Sequence, residues 1–207
     1  MNILNLYAGI GGNRKLWRYG HDITAVELNP EIAAEYKKRF PNDTVIIGDA
    51  HEYLLKNYMH FDFIWSSPPC PSHSDIRRCG VHKGQYDAVY PEMGLYQEII
   101  LLQNFFKGKF VIENVKPYYE SLIKPDYIAD RHYFWLNFFV KEFKKSNDRI
   151  HTDIKGSSTI YDFNIADTNI KNKRKVLRNL VDPALGLHFL NCAADNLQKQ
   201  IKFPLDR

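Results

Sequence analysis

Short apolar runs alternate along the first two-thirds of the chain with segments whose apolar positions recur every three or four residues. The runs Ile3 to Tyr7, Ile23 to Leu28, Thr44 to Ile47, Phe61 to Trp65, Phe110 to Glu113 and Tyr133 to Val140 are β-branched or aromatic and predict strands. Asn29-Pro30-Glu31 supplies a capping side chain and a first-turn proline, so it opens a helix that Phe40-Pro41 closes. A second helix is expected from Arg14, and a third carries Leu95, Ile99, Leu102 and Phe106 on one face. Strands alternating with helices predict an α/β fold: a doubly wound, mostly parallel, Rossmann-like sheet with right-handed crossovers. Ligands of such sheets gather at the carboxyl ends of the strands, so functional residues should follow strands directly.

Residues 141–175 break this rhythm, being rich in Lys, Asn, Asp and Ser. Their composition favours a surface excursion over a substrate-contacting insertion. The expected organisation is a sheet domain over 1–140, an insertion over 141–175, and a C-terminal segment, 176–207, that packs back on the domain. Lys173 to Arg178, across the boundary between the last two, is a basic run, and Ala193 to Ile201 is helical in character.

At 207 residues the chain suits one domain with a substantial core. A 44% hydrophobic and 25% charged composition is that of a soluble protein, and no apolar stretch is long enough to cross a bilayer. Met1 leads straight into a strand without a basic start and apolar run, so no signal peptide is expected and a cytoplasmic location is the default. The cysteines, at 70, 79 and 192, match neither a zinc pair nor a disulfide framework, which argues against a structural metal. The net charge of +4 is uneven: residues 141–207 hold 13 Lys+Arg against 8 Asp+Glu, leaving −1 for the rest. That surplus suits a polyanionic partner such as nucleic acid, and equally a solvated basic face.

The chemistry falls at two groups of strand ends. The first strand runs into Ala8-Gly9-Ile10-Gly11-Gly12, where glycines let backbone approach a ligand at a helix start. Glu27 ends the second strand, suited to ribose hydroxyls, and Asp49 ends the third, suited to an adenine edge. Three such features at consecutive strand ends point to an adenosine-containing cofactor, with a dinucleotide still open. The fourth strand leads into Ser66-Ser67-Pro68-Pro69-Cys70-Pro71, a thiol presented rigidly among prolines. The fifth delivers Glu113-Asn114-Val115 to the same sheet edge, where an acid held partly desolvated can donate a proton near neutral pH. A positive charge beside Cys70 would favour its thiolate, and Arg77 or Arg78 is nominated for that role.

These motifs, in this order, resemble the cytosine-C5 DNA methyltransferase family, and in particular a small phage- or restriction-type member with a reduced target-recognition region. The resemblance rests on Asn5 to Gly12, Glu27, Gly48-Asp49, the Pro-Pro-Cys loop ending at Ser74, and Glu113-Asn114-Val115, over residues 3 to about 140. It implies methyl transfer from S-adenosylmethionine (SAM) to cytosine C5, leaving S-adenosylhomocysteine. Cys70 would attack C6, Glu113 would protonate N3, and Arg131, in Ala129-Asp130-Arg131-His132-Tyr133, would hold the cytosine O2. Of that family motif's Gln and two Arg, only this arginine is present. The cofactor residues implied are Tyr7, Ala8, Gly9, Gly11, Gly12, Glu27, Leu28, Asp49, Ala50, Pro69 and Asn191. Those for substrate are Pro69, Ser74, Arg77, Arg78, Asn114 and Val115.

The resemblance also implies a cytosine flipped from the duplex, beneath a closing loop from Pro71 to about Tyr90 whose Arg77, Arg78, His82 and Lys83 contact phosphates. With about 35 residues where family members carry target recognition, a homodimer or another partner is expected to supply it, unless recognition is short or relaxed. Two other readings remain: methylation of tRNA cytosine by the same chemistry, and a catalytically idle SAM-binding protein of nucleic acid. Retention of both Cys70 and Glu113 argues against the last.

Overall fold

The computed structural model describes residues 1–18, 20–143, 159–160 and 163–202. Strands β1 (Asn2–Leu6), β2 (Asp22–Glu27), β3 (Thr44–Ile47), β4 (Phe63–Ser66) and β5 (Lys109–Val115) pair in parallel. Beyond β5 comes an antiparallel hairpin of β6 (Tyr127–Ala129) and β7 (His132–Leu136), with β7 innermost, giving the order β3-β2-β1-β4-β5-β7-β6. The order reverses between β1 and β4, and the carboxyl ends of these two strands flank the crevice where such folds take ligands.

Helices α1 (Pro30–Arg39), α2 (Ala50–Asn57), α3 (Asp75–His82), α4 (Gly94–Phe105), α5 (Lys173–Arg178) and α6 (Pro183–Lys202) flank the sheet. Because both faces are covered, the central strands read as continuous apolar runs whose alternate residues enter different cores. Leu4, Ile64 and Ile112 pack with Leu95, Ile99, Leu102 and Phe106, the stripe read from the sequence. Ile3, Phe63, Trp65 and Val111 pack instead with Leu185, Phe189 and Leu190 of α6. The Asn29 side chain accepts from the N–H groups of Glu31 and Ile32 and so caps α1.

Four local expectations are corrected. No helix follows Arg14: residues 12–16 form turns, because Asn13 donates to Asn5 and the Arg14 guanidinium donates to Asp43 and the Trp17 carbonyl. These side-chain bonds replace an i→i−4 ladder. The run Tyr133 to Val140 ends as a strand at Leu136, and its unforeseen partner β6 joins it through the two-residue turn Asp130-Arg131, with Asp130 at φ 50°. The stretch expected as a loop from Pro71 to Tyr90 contains α3, whose N-terminus Ser74 caps by accepting from Arg77 N–H. Helix α6 begins ten residues before the expected start at Ala193.

The expectation for 141–175 falls largely outside the described residues. Of those that are described, Phe163, Ile165 and Ile170 are buried against Ile10 and Leu177. Among the described residues no helix is long and apolar enough to cross a membrane.

Candidate active site

After β1 the chain turns through Tyr7 and Gly9, both in the left-handed region, at φ 53° and 56°. A Cβ on Gly9 or on Gly48 would meet nothing within 4 Å, so protein packing requires no glycine at either position and the space above them is open. Gly11 and Gly12 differ: a Cβ would strike the Phe40 ring at the first and the Val181 carbonyl at the second, so these glycines permit close packing beneath the turn. Glu27 holds the turn from the next strand, one carboxylate oxygen accepting from Gly9 N–H and the other from Asn29 N–H, each at 2.9 Å. Asp49 caps α2 by accepting from Glu52 N–H, and Ala50 is buried behind it. Between the two acids Leu28 is 67% exposed. An open glycine turn, two strand-end carboxylates and an exposed apolar side chain together suit an adenosine-type ligand.

Under this crevice lies a carboxylate that no sequence motif marked. Glu98 of α4 is fully buried and accepts from Tyr7 Oη at 2.7 Å and Ser66 Oγ at 2.6 Å, with His51 Nδ1 at 3.0 Å. It ties the ends of β1 and β4 to the first turn of α2. The hydrogen bond to Glu98 raises the His51 pKa, against the opposing effect of burial.

Cys70 is half-buried four residues beyond β4. Its carbonyl accepts from His73 and Ser74 N–H, while Tyr118 N–H bonds the His73 carbonyl, fastening the thiol loop to the chain after β5. Asn114, buried on β5, donates to the Pro68 carbonyl at 3.0 Å and accepts from Val115 N–H, so its side chain sets the loop in place; half-buried Val115 ends the strand and Pro69 is exposed.

Glu113 is only 8% exposed, and burial pushes its carboxyl up from 4.5 to about 7, against a hydrogen bond from Ser67 and the charge of Arg131. Ser67 is itself oriented by the Trp65 indole N–H at 2.9 Å. The thiol of Cys70 is also raised, by burial first and then by Glu113, while Lys175 and Arg131 draw it down. The sheet thus brings Cys70, Glu113 and Arg131 within one another's electrostatic reach.

The cations near the thiol are not those nominated from the sequence. Arg77 lies over the Tyr86 ring and donates to the Asp87 carbonyl, while Arg78 pairs with Asp75 and lies over Tyr118. Lys175 comes from α5, more than 100 positions along the chain, and nothing in its sequence setting signals it. Asn191 is exposed in the middle of α6, whereas the C-terminal residues that close on the glycine turn are Leu180, Val181 and Gly186.

A sheet of this order with its last inner strand reversed, bearing a glycine turn and strand-end acids on one side and a thiol–carboxyl pair on the other, defines a Rossmann-like methyltransferase. Residues 1–124 match the family model for C-5 cytosine-specific DNA methylase, and the chain belongs to that family of SAM-dependent enzymes. No curated protein matches the sequence.

Among solved structures the chain is similar to a DNMT2 variant from Spodoptera frugiperda at 24% identity, covering 58% of this chain and 37% of that one, with a TM-score of 0.41. It is similar also to a candidate DNA modification methyltransferase from an E. coli prophage at 26% identity, covering 58% and 34%, with a TM-score of 0.37. A third, the candidate methyltransferase yhhF from Escherichia coli, is 15% identical, with 65% and 73% covered and a TM-score of 0.44. The chain therefore spans little more than a third of the first two.

Proposed function

We propose that this chain transfers the methyl group of SAM to C5 of a cytosine in DNA through a covalent bond between Cys70 and C6. The observation that carries this reading is geometric: the paired strands β4 and β5 bring the Cys70 loop and the buried Glu113 carboxyl to one sheet edge, where Asn114 of β5 donates to the Pro68 carbonyl of that loop, and burial raises the carboxyl to about 7. Cytosine C5 is a weak nucleophile, and covalent addition at C6 divides one difficult step into two easier ones.

In this mechanism the Cys70 thiolate forms the S–C6 bond, the C5=C6 electron pair shifts into the ring, and N3 takes the proton of Glu113. The product is an enamine whose C5 is nucleophilic. Bound SAM supplies the electrophilic methyl group, and Glu27, Asp49, Leu28 and the open backbone at Gly9 would hold it. Solvent water then takes the C5 proton, the C–H pair re-forms C5=C6, and the S–C6 bond breaks with its pair returning to Cys70, while the N3 proton goes back to Glu113.

The surroundings of Glu113 suit a proton donor. Burial keeps Glu113 substantially protonated near neutral pH, and Ser67 fixes the carboxyl's orientation. Lys175 and Arg131 oppose, without cancelling, the burial and the Glu113 charge that hold the Cys70 thiol above its ordinary value, so the attacking thiolate is a minority species. The target base leaves the duplex to reach the thiol, because both its reacting carbons are inaccessible in the stack.

The test is transfer of radiolabelled methyl to duplex DNA and to tRNA. Label at C5 of DNA cytosine, absent from tRNA and abolished by Cys70→Ser, is the expected result. Label in tRNA alone, or undiminished transfer by Cys70→Ser, contradicts the proposal.

A further inference from the structure

Helix α5 is the basic run Lys173–Arg178, and the chemistry above uses only one of its cations. Its apolar side is fixed: Leu177 is buried with Ile10 of the glycine turn and with Phe163, Ile165 and Ile170. Its other side exposes Arg174, Lys175 and Arg178, which with Asn172 and Asn179 line an open cleft of about 410 Å³. Arg131 Nη2 donates to the Arg178 carbonyl at 3.1 Å, joining this helix to the hairpin turn beside Glu113.

Among the described residues none of these three α5 cations has an ion-pair partner. Arg174 and Arg178 stand four apart, a like-charge spacing that weakens a helix. Lys175 and Arg178 lie in the last turn, where the helix dipole favours a cation, whereas Arg174 near the start gains nothing from it. The exposed face is open to a polyanion.

We propose that the exposed face of α5, continued by Arg131, holds the sugar–phosphate backbone of the DNA strand that carries the target cytosine. This rests on the reading of Cys70 and Glu113 given above. Lys175 is near enough to Cys70 to act on its thiol, and Arg131 joins the helix to the turn beside Glu113, so phosphates seated on this face lie beside the thiol and the carboxyl. Contacts of this kind position a duplex without reading its sequence. The face therefore provides affinity that does not depend on the DNA sequence.

The test is binding of a fluorescein-labelled DNA duplex by the full chain across a salt series, comparing wild type with Arg174→Gln/Arg178→Gln and with Arg174→Lys/Arg178→Lys. Lys175 is left intact because its charge reaches the thiol. The glutamine variant is expected to bind roughly tenfold more weakly at fixed salt, whatever the duplex sequence, with the log–log salt slope reduced by about 1–2. Its SAM affinity, which reports folding, should equal that of wild type, and the lysine variant should keep the wild-type slope. Wild-type affinity and slope in the glutamine variant overturn the proposal, as does a lysine variant as weak as the glutamine one. Labelled tRNA is titrated in parallel, and weakening confined to tRNA overturns DNA as the occupant. Failure of wild type to methylate DNA cytosine sinks the catalytic reading separately, since duplex affinity and its salt slope are measured without turnover.

Discussion

Nε2 of His132 lies 3.7 Å from Oε1 of Glu113. Strand β7 runs antiparallel to β5 with His132 opposite Val115 and Phe134 opposite Glu113, so the imidazole reaches the carboxyl diagonally across the pair. That separation is too long for a hydrogen bond, so the imidazole can act on the carboxyl only when it carries a charge. A protonated imidazole stabilises the carboxylate and opposes proton donation by Glu113, whereas a neutral one does not. His132→Gln is therefore expected to move the lower apparent pKa of kcat/KM upward, and an unmoved pH profile would refute the coupling.

Glu113 carries a pH-dependent cost that can be read directly. Below pH 4.5 the folded and unfolded forms both hold the proton; between 4.5 and about 7 only the unfolded form ionises, and above that both do. This interval corresponds to roughly 3 kcal/mol of stability lost as pH rises. Urea unfolding of Glu113→Gln should show a gain over wild type that grows by up to about 3 kcal/mol between pH 4 and pH 8. Transfer by the same variant should fall about 10²–10⁴-fold, the usual contribution of a positioned acid. A gain that does not change with pH would mean that burial does not hold the carboxyl neutral.

Glu98 ties the glycine turn to the core. Removing its carboxylate leaves Tyr7, Ser66 and His51 without their acceptor in a buried site, at a cost of about 1–3 kcal/mol for each stranded group. Glu98→Ala is expected to be less stable than Glu98→Gln, which retains one acceptor oxygen. Because Tyr7 opens the glycine turn, both should also bind SAM more weakly by calorimetry. Unchanged SAM affinity in a destabilised Glu98→Ala protein would confine Glu98 to the core.

The strand pattern, the capping of α1 and the buried stripe of α4 were legible because each is written within a dozen residues. Cys70, Glu113, Glu27 and the glycine turn were legible for a similar reason: each follows or ends an apolar strand, and the parallel sheet carries such ends to one edge. Lys175, His132 and Glu98 lacked any such mark. They reach the site through tertiary packing: α5 docking on Ile10, β7 pairing with β5, and α4 turning an acid inward. The helix expected after Arg14 failed for the converse reason, since Asp43 lies 29 residues away and its hold on the guanidinium overrides local helical preference.

Glu27 supports the turn as well as facing the crevice. Glu27→Ala removes the acceptor of Gly9 N–H, so SAM affinity is expected to fall by at least tenfold, a loss of about 1.4 kcal/mol. Unchanged affinity in a titration would remove Glu27 from the cofactor site.

The most direct measurement uses a duplex whose target cytosine carries fluorine at C5. Fluorine cannot leave as a proton does, so after methyl transfer the S–C6 bond has no route to break. Peptide mass spectrometry of the SAM-treated complex is expected to find the nucleotide on Cys70, and no adduct in Cys70→Ser. An adduct on Cys79 or Cys192, or methyl transfer to cytosine with no trapped complex, would contradict the account.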